Sequence, residues 1–189
     1  MRWIKQDTRP HQTALAMVGA KPGQQVLVIG AGNGRLAAAL AGVTGLNGRT
    51  LVVDASAGAE TAVNAAAADA GALVEFAQGT CAQLESGGSL FDIVVVHRRL
   101  TAPNVDRGGI LDEAARVVRP GGRVVVIEGK GASGWRGLLQ KPGPPAISGA
   151  SVCDLLTAAG LLATRVLAES EGVTYVEGAR RPGSGPMTS

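Results

Sequence analysis

Val26-Leu27-Val28-Ile29-Gly30-Ala31-Gly32-Asn33-Gly34 decides the fold. Four apolar residues, three of them β-branched, fit a central parallel strand covered on both faces. Gly30, Gly32 and Gly34 let the chain turn sharply where the strand ends and let a ligand approach the backbone. The run Leu36-Ala37-Ala38-Ala39-Leu40-Ala41 favours a helix directly afterwards. The first turn of that helix aims unpaired N–H groups back at the glycines, a seat for a negatively charged or polar ligand group. The dinucleotide fingerprint G-x-G-x-x-G would put its third glycine where Arg35 stands, so the pattern here is G-x-G-x-G. A tight turn without a ligand is the plainer reading of the stretch taken alone.

The 189 residues suffice for one domain and are too few for two ordinary ones. A hydrophobic share of 46% builds a sizeable core, mostly from Ala, Val and Leu. Aromatics make up only 3%, which argues against stacking platforms for single-stranded nucleic acid. The net charge of +3 comes from scattered basic residues, which argues against duplex binding and leaves room for an anionic small substrate. Cys81 and Cys153 give neither metal-ligand spacing nor a disulfide framework. The segment MRWIKQDTRP lacks an apolar core of signal-peptide length and no later run approaches a membrane span, so a cytoplasmic location is expected.

Residues 1–20 read as an arm and a cap helix, the helix running from His11 to Ala20 and ending at Lys21-Pro22-Gly23. It is placed to lie over a ligand mouth, with Leu15, Met17 and Val18 available for packing. Arg49-Thr50-Leu51-Val52-Val53-Asp54 is a second strand ending in an acid twenty residues after Gly34. An acid there can accept hydrogen bonds from ribose hydroxyls; the plainer role is a cap on the helix that follows, read over Ala55 to Ala70. Leu73 to Ala77 is a third strand, with Gln78-Gly79-Thr80-Cys81 as its loop. No cationic neighbour lowers the pKa of Cys81, so it reads as packing and not as a nucleophile.

Phe91-Asp92-Ile93-Val94-Val95-Val96-His97 is the fourth strand. Its far end, where ligands gather in open parallel sheets, carries His97, Arg98 and Arg99. His97 can act as a general base or orient a substrate hydroxyl, since an unperturbed imidazole titrates near neutrality. It can equally just line a pocket or bond a loop carbonyl. Arg98 and Arg99 are either solvated loop charges or attract an anionic substrate. Ile110, Ala114, Val117 and Val118 fall on one helical face, and Pro120-Gly121-Gly122 turns the chain into a fifth strand, Arg123 to Glu128. Residues 129–149 form a Gly/Pro-rich loop with Trp135 embedded, placed as a substrate lid. Ser151 and Asp154 suggest a capping box for a helix ended by Gly160. Leu161 to Ala168 and Val173 to Ala179 read as a closing hairpin, and 181–189 as a disordered tail.

The G-x-G-x-G turn, Phe91-Asp92, the 111–128 helix, Pro-Gly-Gly turn and strand, and the closing hairpin together resemble class I S-adenosylmethionine-dependent methyltransferases. The branch they resemble is the ubiquinone/menaquinone-biosynthesis-like one. The resemblance spans roughly residues 20 to 180, and the order of the elements carries it more than any single motif. It implies an α/β, Rossmann-like seven-stranded sheet, mostly parallel with an antiparallel last strand, with helices on both faces. It assigns residues 21–180 to the methyltransferase-like domain and implies S-adenosylmethionine as cofactor, with a small-molecule methyl acceptor. The implied cofactor-binding residues are Gly30, Ala31, Gly32, Asn33, Gly34, Asp54, Ala55, Thr80, Cys81 and His97, with His97 also the candidate catalytic group. Two positions depart from the family. Val28 stands where an acid usually contacts the methionine end, and Thr80 where an acid often contacts the adenine amino group. These departures sustain a rival reading as a non-catalytic cofactor-binding or scaffold protein. An NAD-dependent oxidoreductase is a second rival, opposed by the glycine spacing. Neither metal nor nucleic acid is expected; a homodimer is compatible with the chain.

Overall fold

The computed structural model describes residues 9–80, 91–129, 147–170 and 172–183. Seven strands form one sheet: β1 (Gln25–Ile29), β2 (Arg49–Asp54), β3 (Glu75–Gln78), β4 (Phe91–His97), β5 (Val118–Gly129), β6 (Leu162–Ser170) and β7 (Val173–Ala179). Their order is β3-β2-β1-β4-β5-β7-β6. The β1–β2, β1–β4, β2–β3 and β4–β5 pairs are parallel, and β7 runs antiparallel to both of its neighbours. The helices are α1 (Arg9–Val18), α2 (Arg35–Thr44), α3 (Ala59–Ala70), α4 (Arg107–Val117) and α5 (Gly149–Ala158). This is the mostly parallel sheet with an antiparallel last strand that the sequence implies.

Alternation within the buried strands divides the core into two layers. Leu27, Ile29, Val94, Val96, Val124 and Val126 pack with residues of α4 and α5 such as Leu111 and Leu156. Val26, Val28, Val52, Val95 and Val125 pack with residues of α1, α2 and α3 such as Val18, Leu40 and Val63. The central strands carry unbroken apolar runs, such as Val26–Ile29 and Ile93–Val96, because both faces are covered.

Three local expectations shift. The helix read from Ala55 starts at Ala59, because Asp54 accepts the Ser56 N–H at 2.7 Å and holds the intervening residues in a turn. The α5 cap is Ser148, whose hydroxyl accepts the Ser151 N–H at 3.0 Å; the box read at Ser151 and Asp154 lies inside the helix. Val118 is already extended (φ −70°, ψ 135°) and opens β5, so α4 ends before Pro120. Residues 119–122 loop out of register between the Phe91 and Ile93 pairings, and Gly121 and Gly122 exchange hydrogen bonds with Arg180.

Asp92 ties the amino ends of β1 and β4 together. It accepts the Gln25 N–H at 2.7 Å and pairs with Arg119 at 2.6 Å. Arg119 is largely exposed, so the backbone bond carries most of the effect. Asp92→Ala is expected to cost about 1–2 kcal/mol in chemical denaturation, the scale of a charged hydrogen bond. Cofactor affinity should be unchanged, since Asp92 lies at the opposite edge of the sheet from the strands' carboxyl ends.

Candidate functional site

The carboxyl ends of β1 and β4 lie side by side, with Ile29 opposite Val96. The chain leaves β1 toward β2 on one side while β4 flanks it on the other, the switch point where open α/β sheets form a ligand crevice. Gly30 closes the turn there. Its φ is +99°, its N–H donates to the Val53 carbonyl at 2.9 Å, and an added Cβ would stand 2.4 Å from the His97 carbonyl oxygen. Only glycine lets β1 turn flush against the end of β4. Gly34 serves helix packing instead. With φ +77°, an added Cβ would stand 2.7 Å from the Ala62 carbonyl oxygen and the Val63 Cα, so its bare backbone permits α2 to pack on α3. The His97 ring lies against Gly32, with Cε1 3.0 Å from where a Cβ would be.

Asp54, at the end of β2, is 6% exposed. One carboxylate oxygen accepts the Ala31 N–H and the other the Ser56 N–H, both at 2.7 Å. Burial pushes its pKa up, but hydrogen bonds from Ser56 and Ala31 and the nearby Arg99 charge outweigh burial and hold it below the ordinary value. A carboxylate has about four acceptor positions, so each oxygen retains capacity for a further donor. The cleft here, about 310 Å³, is lined by Gly30, Gly32, Asp54, Ser56, His97 and Arg99, among others.

A second cavity of about 400 Å³ adjoins it. Ala14 of α1, Leu36 of α2, Ile127 of β5, and Val173 and Tyr175 of β7 give it a largely apolar lining, with Asn33 at the turn. Gly32, His97 and Arg98 line both cavities.

The loop after β4 is held from below. Arg98 adopts a left-handed conformation (φ +52°), unusual for a side chain with a Cβ, and its N–H donates to the Ile127 carbonyl at 2.8 Å. Glu128, 1% exposed on β5, accepts the Leu100 N–H at 2.6 Å and the Thr101 hydroxyl at 2.9 Å. Arg107 donates to the Leu100 carbonyl at 2.7 Å. Burial raises the Glu128 pKa against the lowering effect of these donors. A raised carboxyl favours the folded state most below the unfolded pKa of about 4.3, and that contribution fades as pH rises through the folded value. Glu128→Ala strands the Leu100 N–H and is expected to cost about 2 kcal/mol. Hydrogen exchange should show the Leu100 amide losing protection; unchanged exchange would mean the clamp is dispensable.

The structure brings Gly30, Gly32, Asp54 and His97 into one cleft, with Ala31 contributing its N–H to Asp54. Asn33 faces the second cavity, which α1 reaches through Ala14. Gly34 packs helices, and Ala55 and Thr80 are exposed and line neither cavity. Thr80 follows Gly79, whose N–H donates to the Asp54 carbonyl at 3.1 Å. Cys81 and Trp135 lie outside the described residues. Val28 is 1% exposed within the apolar layer under α2. Sequence reasoning left Ser56, Glu128, Ile127 and Tyr175 without site roles. Ser56 had a signal, two residues after a strand-end acid, in the reach of an Asx turn.

A Rossmann-like sheet with a glycine turn at its switch point and an acid at the end of the next strand defines a nucleotide-cofactor protein of the class I methyltransferase type. The profile of the methyltransferase-domain family matches residues 26–122, just over half of the chain, and the chain belongs to that family. S-adenosylmethionine is the cofactor that family and fold carry with them. The residues fit it: the cleft is built on the Gly30–Gly32 turn, where no Cβ projects from the backbone at either glycine, and Asp54 keeps acceptor capacity for paired hydroxyls.

Over 115 residues the chain is 30% identical to a ubiquinone/menaquinone biosynthesis C-methyltransferase, UbiE, of Vibrio vulnificus, covering 58% of this chain and 43% of that protein. The Vibrio cholerae counterpart is 29% identical over the same length. The match thus spans less than half the length of these relatives. Among solved structures, an S-adenosylmethionine-dependent methyltransferase from Aquifex aeolicus superposes with a TM-score of 0.74 at 20% identity, covering 93% of this chain and 94% of that one. YcgJ of Bacillus subtilis gives 0.71 at 17% identity, covering 93% and 99%. Among the described residues, no helix is long and apolar enough to cross a membrane.

Proposed function

We propose that residues 21–180 form a methyltransferase domain that transfers a methyl group from S-adenosylmethionine to a small-molecule acceptor. The observation that carries this reading is the shared wall: one cleft bears the strand-end acid, the other is apolar, and both meet at Gly32, His97 and Arg98. A donor in the first and an acceptor in the second would face each other across the His97 ring.

When bound, the cofactor supplies an electrophilic methyl group on a sulfonium. The chain's own work is positioning and exclusion of water. Asp54 would hold the ribose hydroxyls, itself oriented by Ala31 and Ser56. The turn at Gly30 and Gly32, with no Cβ at either glycine, would let the cofactor lie close to the backbone between the His97 and Arg99 side chains. Leu36, Ile127, Val173 and Tyr175 would bury an apolar acceptor. His97 would take the acceptor's proton where the nucleophile must lose one, and otherwise orient it. A cytoplasmic setting belongs to this proposal.

The experiment is turnover with isotopically labelled S-adenosylmethionine on a panel of small phenols, quinols, amines and carbon acids. Transfer to any member supports the enzyme. Tight cofactor binding with no transfer across the panel favours the scaffold reading, which the buried Val28 motivates.

A further inference from the structure

The loop after β4 lays the stem of Arg99 across the glycine turn of the cofactor cleft. The Arg99 stem passes over Gly30, with Cγ and Cδ both 2.8 Å from where a Gly30 Cβ would stand. Arg98 lines both cavities, whereas Arg99 lines only the cleft that contains Asp54. The loop shape that puts Arg99 there is not a relaxed one. The left-handed Arg98 costs roughly 1–2 kcal/mol, and such strain persists only where its surroundings over-determine it. Here the Ile127 carbonyl, buried Glu128 and Arg107 supply that determination.

Charge accounting narrows the ligand group. Among the described residues, Arg99 is in no salt bridge. The cleft's own acid, Asp54, lies near enough to feel the Arg99 charge but forms no salt bridge with it. Val28 gives the turn no acid, its side chain packed with Ala31 and Leu36. The amino-acid end of S-adenosylmethionine carries one carboxylate and one ammonium. This chain places a cation in the cleft beside the glycine turn and has no anion at position 28.

Resting on the cofactor reading above, we propose that Arg99 binds the α-carboxylate of the cofactor. It would be this chain's anchor for the amino-acid end, in place of an acid at position 28. A guanidinium suits this role because its planar fork matches a carboxylate in two parallel bonds. Glu128 acts through the loop, as a positioning residue for Arg99.

The test compares two ligands that share the adenosyl end. S-adenosylhomocysteine keeps the carboxylate and cannot turn over; methylthioadenosine lacks the whole amino-acid end. Each is titrated calorimetrically into wild type, Arg99→Ala and Arg99→Lys, with thermal melting confirming that the variants fold. Arg99→Ala is expected to weaken S-adenosylhomocysteine by about tenfold or more while methylthioadenosine stays within about twofold, as for loss of one charged hydrogen-bonding pair. Arg99→Lys should recover part of the loss, through charge without the fork. Equal weakening of both ligands, or unchanged S-adenosylhomocysteine affinity, overturns the proposal while leaving the cofactor reading standing. Wild type that binds neither ligand overturns the cofactor reading, and the proposal with it.

Discussion

Asp54→Ala should weaken S-adenosylmethionine binding by more than about tenfold, and lower stability by roughly 2–4 kcal/mol. Both effects have one origin. The carboxylate is nearly fully buried and fixes the Ala31 and Ser56 amides, so its removal strands the buried Ala31 donor and loosens the turn at the cleft floor. The ribose hydroxyls would also lose their acceptor. Asp54→Asn separates the contributions: an amide retains one acceptor oxygen and removes the charge. The linkage has a definite sign. The folded carboxyl sits below its ordinary value, so its stabilisation is present above the unfolded pKa of about 3.9 and is lost as pH falls through the folded value. Denaturation of wild type and Asp54→Asn across acidic pH should show the wild-type curve falling more steeply. Identical curves, together with unchanged cofactor affinity in Asp54→Ala, would sink the assignment.

Gly30→Ala is the second large expectation. The added methyl would stand 2.4 Å from a backbone carbonyl oxygen, at a φ of +99° that side chains with a Cβ avoid. Neither β1 nor β4 can retreat easily, since the two are paired through four registered residues. Overpacking of about 1–3 kcal/mol and a strained backbone together suggest a loss of about 3–4 kcal/mol. In a domain of this size that lowers the melting temperature by about 6–16 °C. Cofactor binding should fall as well, because the relaxation available pushes the His97–Arg99 segment away from the turn. A melting temperature within about 2 °C of wild type would show that the turn is looser than its geometry implies.

The legible and illegible parts of this chain divide by the range of the physics involved. The glycine turn, the acid ending Arg49–Asp54 and the apolar run Phe91–His97 are local patterns, and each element forms where its sequence places it. The seven-strand order follows from the family resemblance and not from any one of them. Boundaries were less legible because single hydrogen bonds decide them: Asp54 with Ser56 delays α3, and Ser148 with Ser151 moves the start of α5 forward. The second cavity was least legible. Ala14, Leu36, Ile127 and Tyr175 look like ordinary core residues, and only the pairing of β5 with β7 beside α1 and α2 gathers them. Glu128 looks like the polar end of a strand; its burial beneath the 98–101 loop is a tertiary fact. Val28 shows the converse. A departure visible in sequence acquires meaning only from the apolar layer around it and the cation placed across the adjoining turn.

The most direct test of the account is isothermal titration of the purified protein with S-adenosylmethionine, repeated with excess S-adenosylhomocysteine in the cell. The account predicts one site per chain with micromolar affinity, displaced by the demethylated product. No detectable heat at protein concentrations suited to micromolar binding would contradict it. The glycine turn and Asp54 would then serve the fold alone, and the cleft would have to be reassigned.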